Sequence, residues 1–278
     1  MIPSPFEYEL AGSVEQAVEL LGSREGARVL AGGHSLLPMM RLRFARPALL
    51  VDIGRLRDLS YVREDGDRLL IGALTRYHDL ASDPVLRERC GIVAHTASLI
   101  GDPQVRHRGT IGGSIAYGDP ASDMPAVLLA LEAELVVRGP GGERTVAAAD
   151  FFRGVFDTAL GPQDVLTEIR VPALAGGWSY LKFRRRSQDW ATVGVAAVVR
   201  RSNGTIEKRA IALTNMGPTP VRARAAEGAL RTADDVAAAA EVAAAESDPP
   251  SDTSGSADYR RHLATVLTRR ALEEAIGR

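Results

Sequence analysis

The sequence predicts an α+β protein in which strands and helices alternate at first and an antiparallel sheet follows. Over the first 140 residues, short apolar runs bounded by glycine alternate with segments of helical periodicity. After about residue 175, three segments of strand character follow one another, separated by turn residues. Alanine-rich helical segments then close the chain.

Composition limits the possible functions. The 278 residues can form two domains, and a formal net charge of -1 disfavours nucleic acid as a partner. A single cysteine, Cys90, excludes an internal disulfide and a cysteine-ligated metal site, and the five histidines lack metal-ligand spacing. We therefore expect no metal site. No apolar run reaches 18 residues and the start lacks signal-peptide features, which predicts a cytoplasmic protein without a membrane span.

The first elements can be placed by pattern. Ser13 and Gln16 have the spacing of a capping box, and the apolar positions after them recur at helical spacing. Residues 27–31 and 48–53 are continuous apolar runs of the length of buried strands. The first of these runs leads directly into a glycine pair.

The middle of the chain mixes strands, helices and loops. We predict a strand over 68–75, a helix from Tyr77 and a helix over 84–100. Beyond residue 103 we predict a loop with a glycine turn, a short helix around 124–131 and a strand from Glu134.

The last hundred residues have a different character. Segments 176–186, 191–201 and 204–217 predict a three-stranded antiparallel sheet, with a hairpin turn at Ser202-Asn203-Gly204. Helical patterns follow, the last over 258–277. We therefore expect a second domain over 176–278, after a first domain over 1–175.

Two glycine pairs share an order of residues that suits a phosphate ligand. "AGGHS" (31–35) and "TIGGS" (110–114) both place Gly-Gly after an apolar residue and a serine within two residues of it. Glycine lets the backbone approach a ligand closely, and successive amides in such a turn can surround an oxyanion. Taken alone, each pair is better explained as a structural turn, because glycine-rich turns are common. The Rossmann and P-loop signatures are absent.

Longer motifs around these pairs resemble one protein family. "AGGHSLLPMMRLR" and "GDPQVRHRGTIGGSIAYGDPASDMPAVLLAL" are similar to the two flavin-binding motifs of the FAD-binding medium subunits of molybdenum hydroxylases. These are flavoproteins of the carbon monoxide dehydrogenase and xanthine dehydrogenase type. "SYLKFRRRSQDWATVGVAAVV" resembles the start of the family's C-terminal domain, so the similarity covers nearly the whole chain.

The resemblance implies a fold and a set of cofactor contacts. Two α/β subdomains, with a boundary near residue 55, would hold FAD noncovalently between them, and a smaller α+β domain would follow. No side chain of this chain would act on the primary substrate. The implied FAD-binding positions are Ala31, Gly32, Gly33, His34, Ser35, Leu36, Thr110, Ile111, Gly112, Gly113, Ser114, Asp123, Leu166 and Lys182.

Two of these positions, and Trp190 outside them, need separate interpretation. Ser114 stands where the family motif commonly has asparagine, which leaves one hydrogen-bond donor fewer. His34 is interpreted as a loop contact, although some flavoproteins attach the flavin to a histidine. Trp190 fits two hypotheses equally, stacking near the flavin or packing as a core aromatic.

The resemblance also implies a function that depends on partners. A molybdopterin large subunit would oxidise the substrate, and an iron–sulfur small subunit would deliver electrons to FAD. FAD would then reduce an external acceptor such as NAD, a quinone or dioxygen. A free-standing FAD oxidoreductase and a non-enzymatic module for another phosphate ligand are the alternative hypotheses.

Overall fold

The computed structural model describes residues 2–278. Its N-terminal part is a small parallel sheet. Its strand order is β1-β3-β2, and both pairings are parallel. Strands β2 and β3 lie where the apolar runs predicted them. The elements are β1 (Glu7–Leu10), α1 (Val14–Ser23), β2 (Arg28–Leu30), α2 (Leu36–Arg41) and β3 (Leu49–Asp52).

Helix α1 starts close to the predicted capping box. The Ser13 hydroxyl accepts a hydrogen bond from the Gln16 amide at 3.1 Å, as the motif requires. The Gln16 side chain instead accepts from the amide of Gly12, at 2.6 Å. The Gln16 side chain thus pairs with the amide one residue before the one that a capping box uses, and the amides of Gly12 and Gln16 both have a partner.

The middle part is an antiparallel sheet covered by short helices. The order of its five strands is β4-β5-β10-β6-β7. A 3-10 turn at Arg57–Leu59 precedes it, and β8 and β9 form a separate two-stranded sheet. The elements are β4 (Val62–Asp65), β5 (Arg68–Gly72), α3 (Tyr77–Ser82), α4 (Pro84–Arg89), α5 (Gly91–Ser98), α6 (Pro103–Arg108), α7 (Ile111–Tyr117), α8 (Asp123–Ala130), β6 (Glu134–Gly139), β7 (Gly142–Ala147), α9 (Ala148–Phe151), β8 (Phe152–Gly154), β9 (Asp157–Thr158) and β10 (Val165–Pro172).

Three sequence predictions in this part were wrong. The helix predicted over 84–100 is broken at Cys90, whose backbone leaves the helical region, into α4 and α5. The segment predicted as a loop forms α6, because Asp102 caps it and proline occupies its first position. The predicted turn at Gly112-Gly113 is the first turn of α7, which Thr110 caps.

The C-terminal part is an antiparallel sheet backed by three helices. The three predicted strands are present, and a two-residue strand adds a fourth, so the order is β11-β12-β13-β14. The Asn203-Gly204 turn joins β12 to β13 with φ of 50° and 80°, as in a type I′ hairpin. The elements are β11 (Gly177–Phe183), β12 (Val193–Ser202), β13 (Thr205–Thr214), β14 (Val221–Arg222), α10 (Arg224–Ala229), α11 (Val236–Ala245) and α12 (Ala257–Gly277).

Helix α8 connects the middle part to the C-terminal sheet. All of its residues are buried, and it packs against α5 and α7 on one side and against β12 and β13 on the other. The opposite face of the C-terminal sheet is covered by α10, α11 and α12, which form a separate hydrophobic core. The predicted α+β class is therefore confirmed, and the sheet is buried on both faces.

No helix within residues 2–278 is long and apolar enough to cross a membrane.

We expect Leu128→Ala to lower the free energy of unfolding by about 2–5 kcal/mol, since Leu128 is fully buried in α8 and its truncation leaves a cavity. Denaturant unfolding followed by circular dichroism measures this loss. Leu42→Ala is the matched control, because Leu42 is 52% exposed and the same change there should alter stability by about 0.5 kcal/mol or less. Equal losses in the two variants would contradict the central position of α8.

Candidate functional site

A cavity of about 710 Å³ lies where the three parts of the molecule meet. The first part contributes β2 and the loop after it, the middle part contributes α7 and the start of β10, and the C-terminal part contributes the end of β11 and the loop beyond it. This volume is in the range of sites for small molecules and cofactors.

Most residues singled out from the sequence line this one cavity. The exception is Ile111, whose side chain is fully buried on the core side of α7. The residues brought together are Ala31, Gly32, Gly33, His34, Ser35, Leu36, Thr110, Gly112, Gly113, Ser114, Asp123, Leu166 and Lys182.

The first glycine stretch lines the cavity and has free amide groups. Within residues 2–278, no protein atom accepts a hydrogen bond from the five consecutive backbone N–H groups that start at Gly32 and end at Leu36. Gly33 has a φ of +79°, a conformation that glycine adopts without strain. A Cβ on Gly32 would overlap the carbonyl oxygen of Arg108. The stretch is therefore shaped to donate several hydrogen bonds to an oxyanion.

The second glycine stretch has a different role. The Gly112 amide donates to the carbonyl of Ala73 at 2.8 Å, and the Gly113 amide donates to the Thr110 hydroxyl at 3.2 Å. These donors already have protein partners. A Cβ on Gly112 would lie 2.6 Å from the Ala73 oxygen, so glycine is needed for α7 to pack against the end of β5. The second stretch forms the wall of the cavity and leaves its amides unavailable to a ligand.

A buried ion pair forms another part of the wall. Lys182 Nζ lies 2.7 Å from Asp123 Oδ2, and both side chains are only 3% exposed. The Tyr180 hydroxyl donates to Asp123 Oδ1, also at 2.7 Å. Each carboxylate oxygen thus has a protein partner. The pair joins the start of α8 to β11.

Burial and hydrogen bonding act on the titration of this group in opposite directions. Burial raises the pKa of Asp123 above its usual value, while Lys182 and the Tyr180 hydroxyl limit that rise. Burial and the nearby carboxylate raise the pKa of Tyr180, so its phenol stays protonated and can donate. The Lys182 ammonium also contacts the Leu99 carbonyl at 3.4 Å. An ammonium has three donors, so one remains for a ligand.

Three hydroxyl groups on the same wall are incompletely paired. The Tyr77 hydroxyl is buried, and no atom of the described chain forms a hydrogen bond with it. Burial raises the pKa of Tyr77, and Ser114 lies close to its hydroxyl. Ser114 has one long contact, 3.4 Å to the Ser122 hydroxyl. A buried hydroxyl without a partner is destabilising, which fits a region that pairs with a ligand or ordered water.

Aromatic side chains lie at the mouth of the cavity. Trp190 lines the cavity and is 53% exposed, so its interpretation as a buried core aromatic was wrong. Phe156 also lines it, with its ring 5.0 Å from that of Tyr117. Phe156 has a φ of +57°, a strained conformation for a bulky residue that is common at functional sites. Such rings can stack on a planar ligand.

Sequence reasoning did not identify Tyr77, Tyr180 or Phe156 as part of the site. For Tyr180 a signal exists, because it lies two residues before Lys182 on a strand and therefore on the same face. For Tyr77 and Phe156 the local sequence gives no signal, because tertiary packing alone brings them to the cavity.

Taken together, the cavity offers a run of free amides, a buried cation with a spare donor and exposed aromatic rings. The amides suit phosphate oxygens and the aromatic rings suit a planar ring system. A dinucleotide that contains both groups fits this donor set.

Two family models match the chain along almost its full length. Residues 4–174 match the FAD binding domain in molybdopterin dehydrogenase. Residues 178–275 match the carbon monoxide dehydrogenase flavoprotein C-terminal domain.

Individual relatives agree with the family models. The chain is 48% identical to the carbon monoxide dehydrogenase medium chain of Hydrogenophaga pseudoflava, with 100% of this chain and 99% of the relative covered. It is 40% identical to the glyceraldehyde dehydrogenase medium chain of Sulfolobus acidocaldarius, with 99% of each covered. A solved carbon monoxide dehydrogenase from Hydrogenophaga pseudoflava superposes with a TM-score of 0.97 at 50% identity, over 100% of this chain and 99% of that one.

We expect Lys182→Met to lower the free energy of unfolding by about 3–5 kcal/mol near pH 8, because it leaves the Asp123 carboxylate buried without its cation. The loss should shrink as the pH falls towards 5. Without Lys182 the pKa of Asp123 rises further above its unfolded value, so the folded state gains a proton and that stabilisation disappears as the pH rises. Urea unfolding at several pH values measures both effects.

Lys208→Met is the matched control, since Lys208 is the only other lysine and is exposed on β13. It should change stability by about 0.5 kcal/mol or less at each pH. The interpretation is wrong if the two variants lose the same amount at pH 8, or if the penalty of Lys182→Met grows on acidification.

Proposed function

The chain belongs to the FAD-binding family of molybdopterin dehydrogenases as an oxidoreductase subunit, and we propose that it transfers electrons from an iron–sulfur partner to an external acceptor. Its cofactor is noncovalently bound FAD. FAD, when bound, can take up electrons singly or in pairs, which suits a connection between iron–sulfur clusters and a two-electron acceptor. The free amides that line the cavity between Gly32 and Leu36 are the observation that carries the assignment.

We propose that the first glycine stretch binds the pyrophosphate of FAD. Its five free amides can donate to several phosphate oxygens, and His34 and Ser35 add polar side chains at the same wall. The second stretch, from Thr110 to Ser114, forms the adjoining wall, where a Cβ on Gly113 would lie 3.8 Å from the Ala31 Cβ. There Gly112 lets α7 pack against the end of β5, and the Ser114 hydroxyl is available to the ligand.

The flavin ring would lie at the other end of the cavity. Lys182 supplies a cation with a spare N–H donor, and Asp123 holds that cation in place. Leu166 offers an apolar contact and Trp190 an exposed indole at the mouth. A fixed positive charge beside a flavin favours its reduced, anionic form and therefore its acceptance of electrons.

Relatives suggest why this chain carries no site for the primary substrate. Medium chains that are 48% and 40% identical to it along their full length are named for dehydrogenases of carbon monoxide and of glyceraldehyde. Similar medium chains thus belong to enzymes named for chemically different substrates. We propose that here too the substrate is oxidised on a molybdopterin large subunit, and that an iron–sulfur small subunit connects that site to FAD.

The organisation and compartment of the protein are further parts of the proposal. We place an FAD-binding domain at 1–175, with two subdomains that divide near residue 55, and a C-terminal domain at 176–278. Separate hydrophobic cores on the N-terminal sheet and under α10 to α12 support this division. The one cysteine, Cys90, is free and buried, as is common in the cytoplasm, where we place the protein.

Reconstitution tests the function directly. The purified chain, loaded with FAD, is mixed with its iron–sulfur and molybdopterin partners, and reduction of NAD, a quinone analogue or dioxygen is followed in parallel. We expect flavin reduction by substrate only when all three subunits are present, and transfer to one of these acceptors. Turnover by the chain alone with its own donor would establish a free-standing oxidoreductase. A tightly bound ligand other than flavin would establish a different phosphate-binding module.

We expect Gly32→Ala to weaken FAD binding at least about tenfold, because its Cβ would overlap the Arg108 carbonyl and displace the amides that surround the pyrophosphate. Titration of the apoprotein by quenching of flavin fluorescence measures the change. Gly228→Ala is the control, since that glycine lies in α10 with open space around its Cβ position, outside the cavity. The role of the loop is contradicted if folded Gly32→Ala binds FAD as tightly as Gly228→Ala.

A further inference from the structure

We propose that Tyr180 is a positioning residue for the flavin end of the cavity. Its hydroxyl fixes the Asp123 carboxylate as an anion, and that carboxylate holds the Lys182 ammonium against the bound cofactor. This inference rests on the proposed function, because it requires FAD in the cavity. The inference goes beyond the proposed function because it gives a role to a residue that does not itself line the cavity.

The geometry divides the carboxylate between two partners. Tyr180 donates to Asp123 Oδ1 and Lys182 donates to Asp123 Oδ2, both at 2.7 Å. Each contact occupies one oxygen, so the plane of the carboxylate is fixed by two atoms on the same strand. Since β11 residues two apart lie on one face, the two donors are placed side by side by the backbone itself.

A missing side chain on the neighbouring strand makes room for the tyrosine hydroxyl. Gly194 of β12 lies directly between Lys182 on β11 and Thr214 on β13 in the register of the sheet. A Cβ at Gly194 would overlap the Tyr180 hydroxyl and lie 2.9 Å from Thr214 Cβ. The Thr214 hydroxyl is 3.2 Å from that of Tyr180. The phenol thus fills the space that the absent side chain of Gly194 leaves, and a second hydrogen bond, with Thr214, holds it there.

The charges of Asp123 and Lys182 connect the tyrosine hydroxyl to the reduction potential of bound FAD. A buried carboxylate that lost the Tyr180 hydrogen bond would take up a proton at higher pH. Protonated Asp123 no longer neutralises Lys182, and the ammonium would act on the flavin with its full charge. The protonation of Asp123 is therefore expected to appear as an additional rise in the reduction potential of bound FAD on acidification.

Other charged and titratable groups surround the carboxylate. Arg184 follows β11 and acts on it electrostatically, and Tyr77 lies near it on α3. His95 on α5 contacts the Tyr180 backbone carbonyl at 3.2 Å. His95→Gln, made in both the wild-type and the Tyr180→Phe backgrounds, removes this second ionisable group from the comparison.

The decisive experiment measures the midpoint potential of bound FAD against pH, with redox dyes, in the full-length chain. Protonation of Asp123 is expected to appear as an inflection in this profile. In Tyr180→Phe we expect the pH of the Asp123 inflection to rise by about one to two units, because the free energy of one hydrogen bond to a charged group corresponds to a shift of that size. Tyr61→Phe is the matched control. It removes another tyrosine–carboxylate hydrogen bond, to Glu168 at 2.5 Å, outside the cavity, and should leave the wild-type profile unchanged.

Two further variants keep the test decisive if Tyr180→Phe does not fold. Gly194→Ala displaces the hydroxyl and Thr214→Val removes its second hydrogen bond, so each should move the inflection upward. The role of Tyr180 would be overturned if the profile of Tyr180→Phe matched that of the wild type. It would equally be overturned if the profiles of Gly194→Ala and Thr214→Val matched it. If the wild-type chain binds no FAD, the proposed function itself fails, which is a separate outcome.

Discussion

The ion pair between Asp123 and Lys182 is the interaction on which the architecture of the site depends. It links the first residue of α8, in the middle part, to β11, in the C-terminal part, and both side chains are nearly inaccessible to water. An ion pair buried this deeply is rarely a net source of stability, because desolvation opposes the attraction. Its value here lies in fixing two parts of the molecule in one arrangement and in leaving a cation at the cavity wall.

The two glycine pairs show how similar sequence patterns come to have different roles. Gly32 and Gly33 follow a strand, and the amides after them remain free because the short helix α2 begins only at Leu36. Gly112 and Gly113 lie inside the first turn of α7, where Thr110 and the end of β5 accept their hydrogen bonds. The first pair supplies donors, and the second supplies close approach between helix and strand.

Sequence reasoning succeeded where local patterns determine structure. The strands after residue 175 are apolar-rich segments bounded by turn residues, and β12 and β13 meet at Asn203-Gly204, a turn whose backbone conformation selects those residues. It failed at Gly112-Gly113, where a local turn signal was overridden by the Thr110 cap and by packing on Ala73. The cavity wall itself depends on contacts between residues more than fifty positions apart, such as Tyr180 and Asp123, which no local pattern contains.

Several groups at the cavity are left unsatisfied or strained by the protein alone. The Tyr77 hydroxyl has no partner among the described residues, the amides after Gly32 are free, and Phe156 holds a positive φ. The buried Tyr77 hydroxyl and the positive φ of Phe156 destabilise the fold without ligand, and they are tolerated because the three surrounding parts are extensively packed. A ligand that pairs the Tyr77 hydroxyl and the free amides gains hydrogen bonds there, so its binding free energy adds to the stability of the fold. Cofactor binding and folding are thus coupled in this subunit by the same polar groups that select the cofactor.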